Sequence, residues 1–317
     1  KRGQLGPGEI MVVDIENKRL LTNHQVKTEI AARRPYAEFN QQRLLPVRDE
    51  SFYGEPRVRG SLLAGPAAKD VLLRRQLAFG YNNEDEITVL RPMIVSGSEP
   101  IGSMGDDTPP SALSTVDRPL FHSFRQRFAQ VTNPAIDPLR ERLVMSLRTF
   151  LGRRANILVE SPETTHLLEV PGPVLSRAAF EHLHSLNPAL HPAIVLRSLY
   201  PVHGGEKALR EALQSLCREA EQAVRQGAAL LVIYDGEVNP FRAPIPSLLA
   251  VSALHQHLTE VGLRLKASLI VASGEPREVH HFACLLGYGA DAVYPFLALE
   301  TVLQMVQEGG RQLEGLD

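Results

Sequence analysis

In the stretch Ala228-Ala229-Leu230-Leu231-Val232-Ile233-Tyr234, every side chain is apolar or aromatic. An apolar run of this length without polar alternation is typical of a parallel strand that is buried on both faces. A helical pattern over 209–226 precedes it, and Gly227 stands where a helix C-cap is expected. The stretch therefore predicts a central strand of a sheet that helices cover.

The alternation of helix and strand continues towards the C-terminus. Pro244 and Pro246 stand at the start of a helical pattern over 245–261, where proline is best tolerated. The other predicted elements are a helix over 277–286 and strands over 157–160, 193–199, 267–272 and 290–296. Because helices connect these strands, the sheet must be parallel. The sequence predicts an α/β fold with a mostly parallel sheet and helical crossovers.

The N-terminal segment has a different pattern. Two short strands around a turn at 16–19 predict a hairpin. Thr22 or Asn23 can cap a helix over 25–34, which we expect Pro35 to end. We therefore predict a small β-hairpin and helix appendage over 1–45. A long connection over 45–69 and helical segments over 69–81 and 84–89 follow it.

Composition excludes two classes of partner. The formal net charge is −2, and the basic residues form no long run, so nothing favours nucleic acid. No apolar stretch approaches the ~18–20 residues that span a bilayer. The two cysteines, Cys217 and Cys284, lie in helical patterns and suggest no disulfide framework. We predict a cytoplasmic protein that binds neither nucleic acid nor membrane.

Polar residues follow three of the predicted strands. Asp235 follows the first, Ser273-Gly274-Glu275 the second, and Tyr294-Pro295 ends the third. Ligands of parallel α/β sheets bind at the carboxyl ends of strands, so these residues form a candidate pocket rim. The alternative is that Asp235 and Glu275 cap the following segments or neutralise Arg242 and Arg277.

Other chemical motifs fail on geometry. His280 and His281 point about 100° apart on a helix, and His255 and His257 do not share a helical face, so we predict no metal site. The glycine-rich segment 287–291 lies between a helix and a strand, the reverse of a dinucleotide loop, and predicts a C-cap and turn. We predict no catalytic residue in this chain.

Two polar loops flank a phenylalanine-rich segment. Residues 98–109 and 131–141 are dense in proline, glycine and acidic or amide side chains. Between them, the phenylalanines over 121–131 have helical spacing, which predicts a helix with a core face. The loops suit a docking surface or a channel wall, or equally the buried turns of a complex fold.

Several blocks of this sequence resemble the large subunit of glutamate synthase. They follow the family's order over roughly 75–300, and residues 1–45 resemble the tail of its glutamine amidotransferase domain. The blocks are RQLAFGY at 75–81, GDDTP at 105–109, RQRFAQVTNP at 125–134, IDP at 136–138, VMSL at 144–147, APIPSLLA at 243–250, EVHHFA at 278–283 and LGYGADAV at 286–293.

The resemblance implies a specific role. In this family the amidotransferase releases ammonia from glutamine, and the ammonia passes through a tunnel to an FMN-binding barrel that also holds an iron–sulfur cluster. Residues 46–317 resemble the central domain between the two, a rudimentary TIM-barrel-like relative of the flavin barrel without its own FMN. By resemblance, Thr132 and Asn133 contribute to the ammonia tunnel, and Asp106 and Asp107 brace them.

Departures from the family's catalytic motifs limit what this chain can do. Lys1 stands where the amidotransferase needs a cysteine nucleophile, and two cysteines cannot hold an iron–sulfur cluster. The flavin barrel is expected beyond Asp317, and Tyr234-Asp235-Gly236-Glu237 departs from the family's Ser-Asp-Arg. The sequence therefore predicts a non-catalytic connecting domain whose partners are the amidotransferase and FMN-binding domains and ammonia in transit.

Two alternatives remain open at this point. One is an enzyme that binds FMN or a phosphate ligand on a barrel-like scaffold. The other is a free-standing regulatory subunit that docks on separate amidotransferase and flavin proteins. The sequence does not distinguish a nicotinamide from a ferredoxin electron donor.

Overall fold

A computed structural model describes residues 3–47, 69–100, 104–105, 108–109, 112–113, 118–127, 136–185 and 191–308. The N-terminal part begins with the predicted hairpin, in which strands β1 (Val12–Asp14) and β2 (Arg19–Leu21) pair antiparallel. Helix α1 (Asn23–Ala31) follows, and its N-cap Thr22 donates its backbone N–H to the side chain of Gln25. Hairpin and helix are confirmed.

The segment after Pro35 differs from the prediction. A second helix, α2 (Tyr36–Arg43), begins directly after Pro35, because proline ends one helix but is well tolerated at the start of the next. Strand β3 (Leu44–Pro46) then pairs in parallel with a strand of the later chain. The domain boundary predicted after residue 45, a position within β3, stays a prediction. The connection predicted over 45–69 lies outside the described residues except at its ends, 45–47 and 69.

Helices and short strands occupy the middle of the chain. A π-helix over Asp85–Leu90 stands where helical spacing predicted a helix over 84–89. The other helices and strands of this region are α3 (Lys69–Ala78), α4 (Arg91–Ser96), α5 (Glu141–Val144), β4 (Thr149–Leu151), β5 (Leu167–Val170) and α6 (Arg177–Ser185). Strands β3, β5 and β4 form a small three-stranded sheet, which the sequence did not predict.

The strand predicted over 157–160 is wrong. The side chain of Asn156 accepts a hydrogen bond from the Leu158 N–H at 3.0 Å, and its carbonyl accepts one from Val159 at 3.0 Å. Asn156 therefore closes a turn, and Ile157 and Leu158 are exposed. Three apolar residues in a row gave a strand signal that this turn overrides.

The helix predicted over 121–131 is also wrong in its described part. A short 3-10 helix covers Leu120–Ser123, and Phe124 is already extended. Arg125 then forms an isolated antiparallel bridge with Gly105. Phe121 is fully buried, as a core position should be. Tertiary pairing with the 105 segment replaces the helical hydrogen bonds that the phenylalanine spacing suggested.

The C-terminal half contains the main sheet. In chain order its elements are β6 (Ala193–Arg197), β7 (Leu199–Pro201), α7 (Gly205–Arg225), β8 (Leu230–Tyr234), β9 (Arg242–Pro244), α8 (Ser247–Glu260), β10 (Ser268–Ala272), α9 (Val279–Gly287), β11 (Ala292–Tyr294) and α10 (Phe296–Glu308). Strands β11, β10, β8 and β6 lie in that order and are all parallel. The α/β fold with helical crossovers is confirmed.

The core lies on both faces of this sheet. All five residues of β8 and all five of β10 are buried, as the apolar run over 228–234 predicted. One face packs against α3, α6 and α10, and the other against α7, α8 and α9. Repetition of strand and helix around a buried parallel sheet is the barrel-like arrangement expected. No helix in the described ranges is both long and apolar enough to cross a membrane.

Candidate functional site at the carboxyl edge of the sheet

Asp235 follows β8 and is almost fully buried. Its carboxylate accepts hydrogen bonds from the Ser273 hydroxyl at 2.5 Å and from the Gly274 N–H at 3.1 Å. Both donors follow β10, so Asp235 joins the ends of two neighbouring strands. Burial raises the pKa of Asp235 well above its usual value.

Glu275 is a cap rather than a ligand-binding group. Its carboxylate accepts hydrogen bonds from the backbone N–H of Ser247 at 2.7 Å and from the Ser247 hydroxyl at 2.5 Å. Ser247 is the first residue of α8, so Glu275 caps that helix from a different segment. Glu275 caps a helix that precedes it in the chain, and Asp235 joins two strand ends, so neither carboxylate caps the segment that follows it, as the alternative expected. Arg242 lies exposed in β9, and Arg277 pairs with a different acid.

Arg277 lies buried above the same edge. Its Nε is 3.1 Å from Asp85 Oδ1, and its two terminal nitrogens donate to the carbonyls of Phe79 and Gly80 at 3.3 and 3.2 Å. Its guanidinium also lies 4.3 Å from the ring centre of Tyr81. Arg277 thereby attaches the segment after α3 to the carboxyl edge.

Phe79 fills the space in front of the strands. A Cβ added at Gly274 would lie 2.6 Å from the Phe79 ring, so only glycine permits this approach. The Phe79 ring also meets Phe296 edge to face, with centroids 6.2 Å apart. Phe79, Tyr81 and Arg277 therefore occupy the position where a parallel α/β sheet would bind a ligand.

The third part of the predicted rim also packs into the core. The ring of Tyr294 stacks on Phe180 at 4.4 Å, and that of Tyr234 lies against Phe296 at 5.9 Å. Burial raises the pKa of both phenols, so they remain neutral. The residues predicted as a rim do meet at one edge, but their side chains bind one another or neighbouring parts of the protein.

The four histidines of the predicted C-terminal helices each have an identified partner. His255 accepts from Arg264 at 3.0 Å, and His257 lies 2.8 Å from Glu221. His280 Nε2 is 3.0 Å from the Phe121 carbonyl, while the His281 ring stacks on the Phe121 ring at 4.3 Å. The described part of the chain contains no group of three or more potential metal ligands.

The glycine-rich segment over 287–291 is a C-cap and turn, as predicted. Helix α9 ends at Gly287, and Gly289 has a φ of +109°, which favours glycine. Its carbonyl accepts a 2.7 Å hydrogen bond from Arg264, which also pairs with Asp291 at 2.9 Å. The turn therefore lies at the edge of the sheet where the strands begin, opposite the edge that contains Asp235.

The predicted tunnel residues, Asp106, Asp107, Thr132 and Asn133, all lie outside the described residues. Their described neighbours are held firmly. Gly105 pairs with Arg125 at a φ of +90°, and a Cβ there would lie 2.5 Å from the Arg125 Cα.

Sequence reasoning missed the roles of Phe79 and Asp85. Their partners Gly274 and Arg277 lie almost 200 residues away in the chain, and no local pattern connects them. The one available signal was the block over 75–81, whose aromatic residues lie at the end of the helical segment predicted over 69–81.

Comparison with known protein families identifies this architecture. Residues 74–316 match the glutamate synthase central domain, and residues 1–39 match the class-II glutamine amidotransferases. The chain belongs to the glutamate synthase central domain family. The resemblance stated from the sequence blocks is thus confirmed.

Similar proteins include glutamate synthases of two named kinds. The ferredoxin-dependent glutamate synthase 2 of Arabidopsis thaliana, a chloroplastic protein, is 43% identical over 96% of this chain and 18% of its own length. The glutamate synthase [NADPH] large chain of Bacillus subtilis is 41% identical over 97% of this chain and 19% of its own length. The chain spans about a fifth of these relatives, and both kinds are nearly equally similar to it.

Proposed function

We propose that this chain is the non-catalytic connecting domain of a glutamate synthase and acts in glutamate biosynthesis. It would link the glutamine amidotransferase domain to the FMN-binding domain. The observation that carries this proposal is the closed carboxyl edge, where Phe79 and Arg277 occupy the ligand position of the fold. A domain whose own site is filled is suited to hold two other sites in a fixed relation.

FMN does not fit this edge. Arg277, the described arginine at this edge, already pairs with Asp85 and donates to two carbonyls, so its guanidinium is not available to bind the FMN phosphate. An iron–sulfur cluster fits no better, since the whole sequence has two cysteines and burial raises the pKa of both thiols. Both cofactors therefore belong to other domains of the proposed parent enzyme.

Addition of FMN to the purified chain tests this assignment against the flavin-enzyme alternative. Flavin fluorescence should stay unquenched, because Phe79 and Arg277 already occupy this edge. Stoichiometric quenching would overturn the proposal and favour an FMN-binding enzyme. The regulatory-subunit alternative is less well supported, since the amidotransferase match over 1–39 favours a covalent connection.

We also propose that the two polar loops over 98–109 and 131–141 contribute to the ammonia tunnel. Ammonia is small and neutral, so the hydroxyl of Thr132 and the amide of Asn133 can border its path without trapping it, with Asp106 and Asp107 as supports. In the full-length enzyme, Thr132→Trp should raise the glutamine hydrolysed for each glutamate formed. Thr132→Ser is the control with a retained hydroxyl, and an unchanged ratio in Thr132→Trp would refute the tunnel role.

A cytoplasmic location is part of this proposal, and the electron donor is a matter for experiment. The Arabidopsis relative is named a chloroplastic protein, and the relatives include ferredoxin-dependent and NADPH enzymes. Assay of the full-length enzyme with reduced ferredoxin and with NADPH would identify the donor.

A further inference from the structure

The first turn of α9 contacts two separate segments that precede it by more than 150 residues. The backbone N–H of Val279 donates to the Glu99 carboxylate at 3.1 Å. His280 Nε2 lies 3.0 Å from the carbonyl of Phe121, a hydrogen bond in which the imidazole N–H donates. His281 stacks on the Phe121 ring with an interplanar angle of 24°. One helix start therefore holds both segments.

The two segments also contact each other. Gln126 donates its backbone N–H to the Met104 carbonyl at 3.2 Å, next to the bridge between Gly105 and Arg125. The close approach at Gly105 excludes any larger residue. The start of α9 therefore contacts Glu99 and Phe121, and the bridge between Gly105 and Arg125 joins the parts of the chain that follow them.

The protonation state of His281 follows from its surroundings. Its Nδ1 accepts the Arg277 N–H at 3.3 Å, and its Nε2 lies 3.1 Å from the Glu278 carboxylate. Burial lowers the pKa of His281 and outweighs the Glu278 carboxylate, which raises it, while the Arg277 charge and the neighbouring His280 lower it further. The ring is therefore neutral, with its proton on Nε2. Of the two adjacent histidines, His280 makes a hydrogen bond to the Phe121 carbonyl, and His281 packs against the Phe121 ring.

We propose that His280 and His281 are positioning residues that hold Glu99, the Met104–Gly105 pair and the segment over 121–126 in one arrangement. The proposal rests on the tunnel role above for its link to function. Asp106 and Asp107 directly follow the Met104–Gly105 pair, and Thr132 and Asn133 lie a few residues beyond the segment over 121–126. Displacement of these segments would misplace the residues proposed to guide ammonia.

Substitution of His280 in full-length glutamate synthase tests the proposal. His280→Leu removes the hydrogen bond to Phe121 and fills the buried position with an apolar side chain. We expect roughly ten-fold faster amide hydrogen exchange in peptides that cover 99–105 and 121–127, because one buried carbonyl loses its donor. His280→Gln retains an N–H donor and should restore slow exchange. His257→Leu, on α8, is the matched control and should leave these peptides unchanged.

The ratio of glutamine hydrolysed to glutamate formed is measured on the same variants. Faster exchange together with a raised ratio supports both the positioning role and the tunnel. Faster exchange with an unchanged ratio supports the positioning role and overturns the tunnel proposal. Unchanged exchange in His280→Leu overturns the positioning role. Glu99→Ala, which alters the same contact site from its more accessible side, gives the same reading if His280→Leu does not fold.

Discussion

The Nε atom of Arg277 lies 3.1 Å from the Asp85 carboxylate, although 192 residues separate them in the chain. The Arg277 side chain is 5% exposed and that of Asp85 18% exposed. Removal of one partner from such a pair leaves a buried charge without compensation. This ion pair attaches the π-helix after α3 to the carboxyl edge of the main sheet.

We expect Arg277→Ala to lower the free energy of unfolding by about 3–5 kcal/mol, because Asp85 and two carbonyls lose their partner. Denaturant unfolding followed by circular dichroism measures this loss. The control is Arg197→Ala, which breaks the exposed pair with Glu237 and should change stability by less than about 1 kcal/mol. Equal effects of the two substitutions would contradict a special role for Arg277.

Gly274→Ala should destabilise the protein by about 1–3 kcal/mol, since the new methyl group would collide with the Phe79 ring. Gly274→Ala combined with Phe79→Leu should lose less than the sum of the single substitutions, because the smaller side chain relieves the collision. Thermal unfolding of all three variants gives the coupling. Gly287→Ala, where no neighbour lies within 4 Å, should be neutral or slightly stabilising. Strict additivity at 274 and 79 would refute the contact.

Asp235→Asn should become more stable relative to the natural protein as pH rises. Unfolded Asp235 loses its proton near pH 3.8, but burial raises its pKa in the folded protein. The stability contributed by the folded group is therefore complete below pH 3.8 and is lost as pH rises through the folded pKa. An amide cannot ionise, so the variant avoids this loss.

Urea unfolding of both proteins at about pH 5 and about pH 8 measures the difference, and shared carboxyl titrations cancel in it. Asp235→Ala is the control, because it lacks both hydrogen bonds to Ser273 and Gly274 and should be destabilised at each pH. A pH-independent difference between Asp235→Asn and the natural protein would contradict the raised pKa.

Arg264→Lys should destabilise the opposite edge of the sheet by about 1–3 kcal/mol, because a single ammonium cannot replace the guanidinium fork. The fork donates to His255, Asp291 and the carbonyls of Ala267 and Gly289 at 2.7–3.0 Å. Arg210→Lys on the exposed face of α7 should have almost no effect. Chemical denaturation compares the two, and a neutral Arg264→Lys would argue against the fork.

The main sheet was predictable because its signals are local. Continuous apolar runs predicted β8 and β10, helical spacing predicted the helices between them, and the glycine-rich segment predicted the turn at 289. The prediction at 157–160 was wrong because a hydrogen bond from the Leu158 N–H to the Asn156 side chain decides that turn. The prediction at 121–131 was wrong because Arg125 pairs with Gly105, which periodicity cannot reveal.

The candidate site was predictable in its position but not in its contents. Carboxyl ends of adjacent parallel strands must meet, which brought Asp235 and Glu275 to one edge. Their hydrogen bonds to Ser273 and Ser247 could not be predicted from spacing alone. Filling of the edge by Phe79 needed the three-dimensional structure. The four tunnel residues stay predictions.

The β1–β2 hairpin has a practical consequence for the isolated chain. Val13, Ile15 and Leu20 are all exposed on it, and within the described part of the chain its two strands pair with each other alone. Unpaired backbone groups beside exposed apolar side chains are a known cause of self-association between sheet edges. Concentrated solutions of residues 1–317 should therefore lose monodispersity through this hairpin first, and lysine substitutions at Val13 and Leu20 should improve solubility without altering the main sheet.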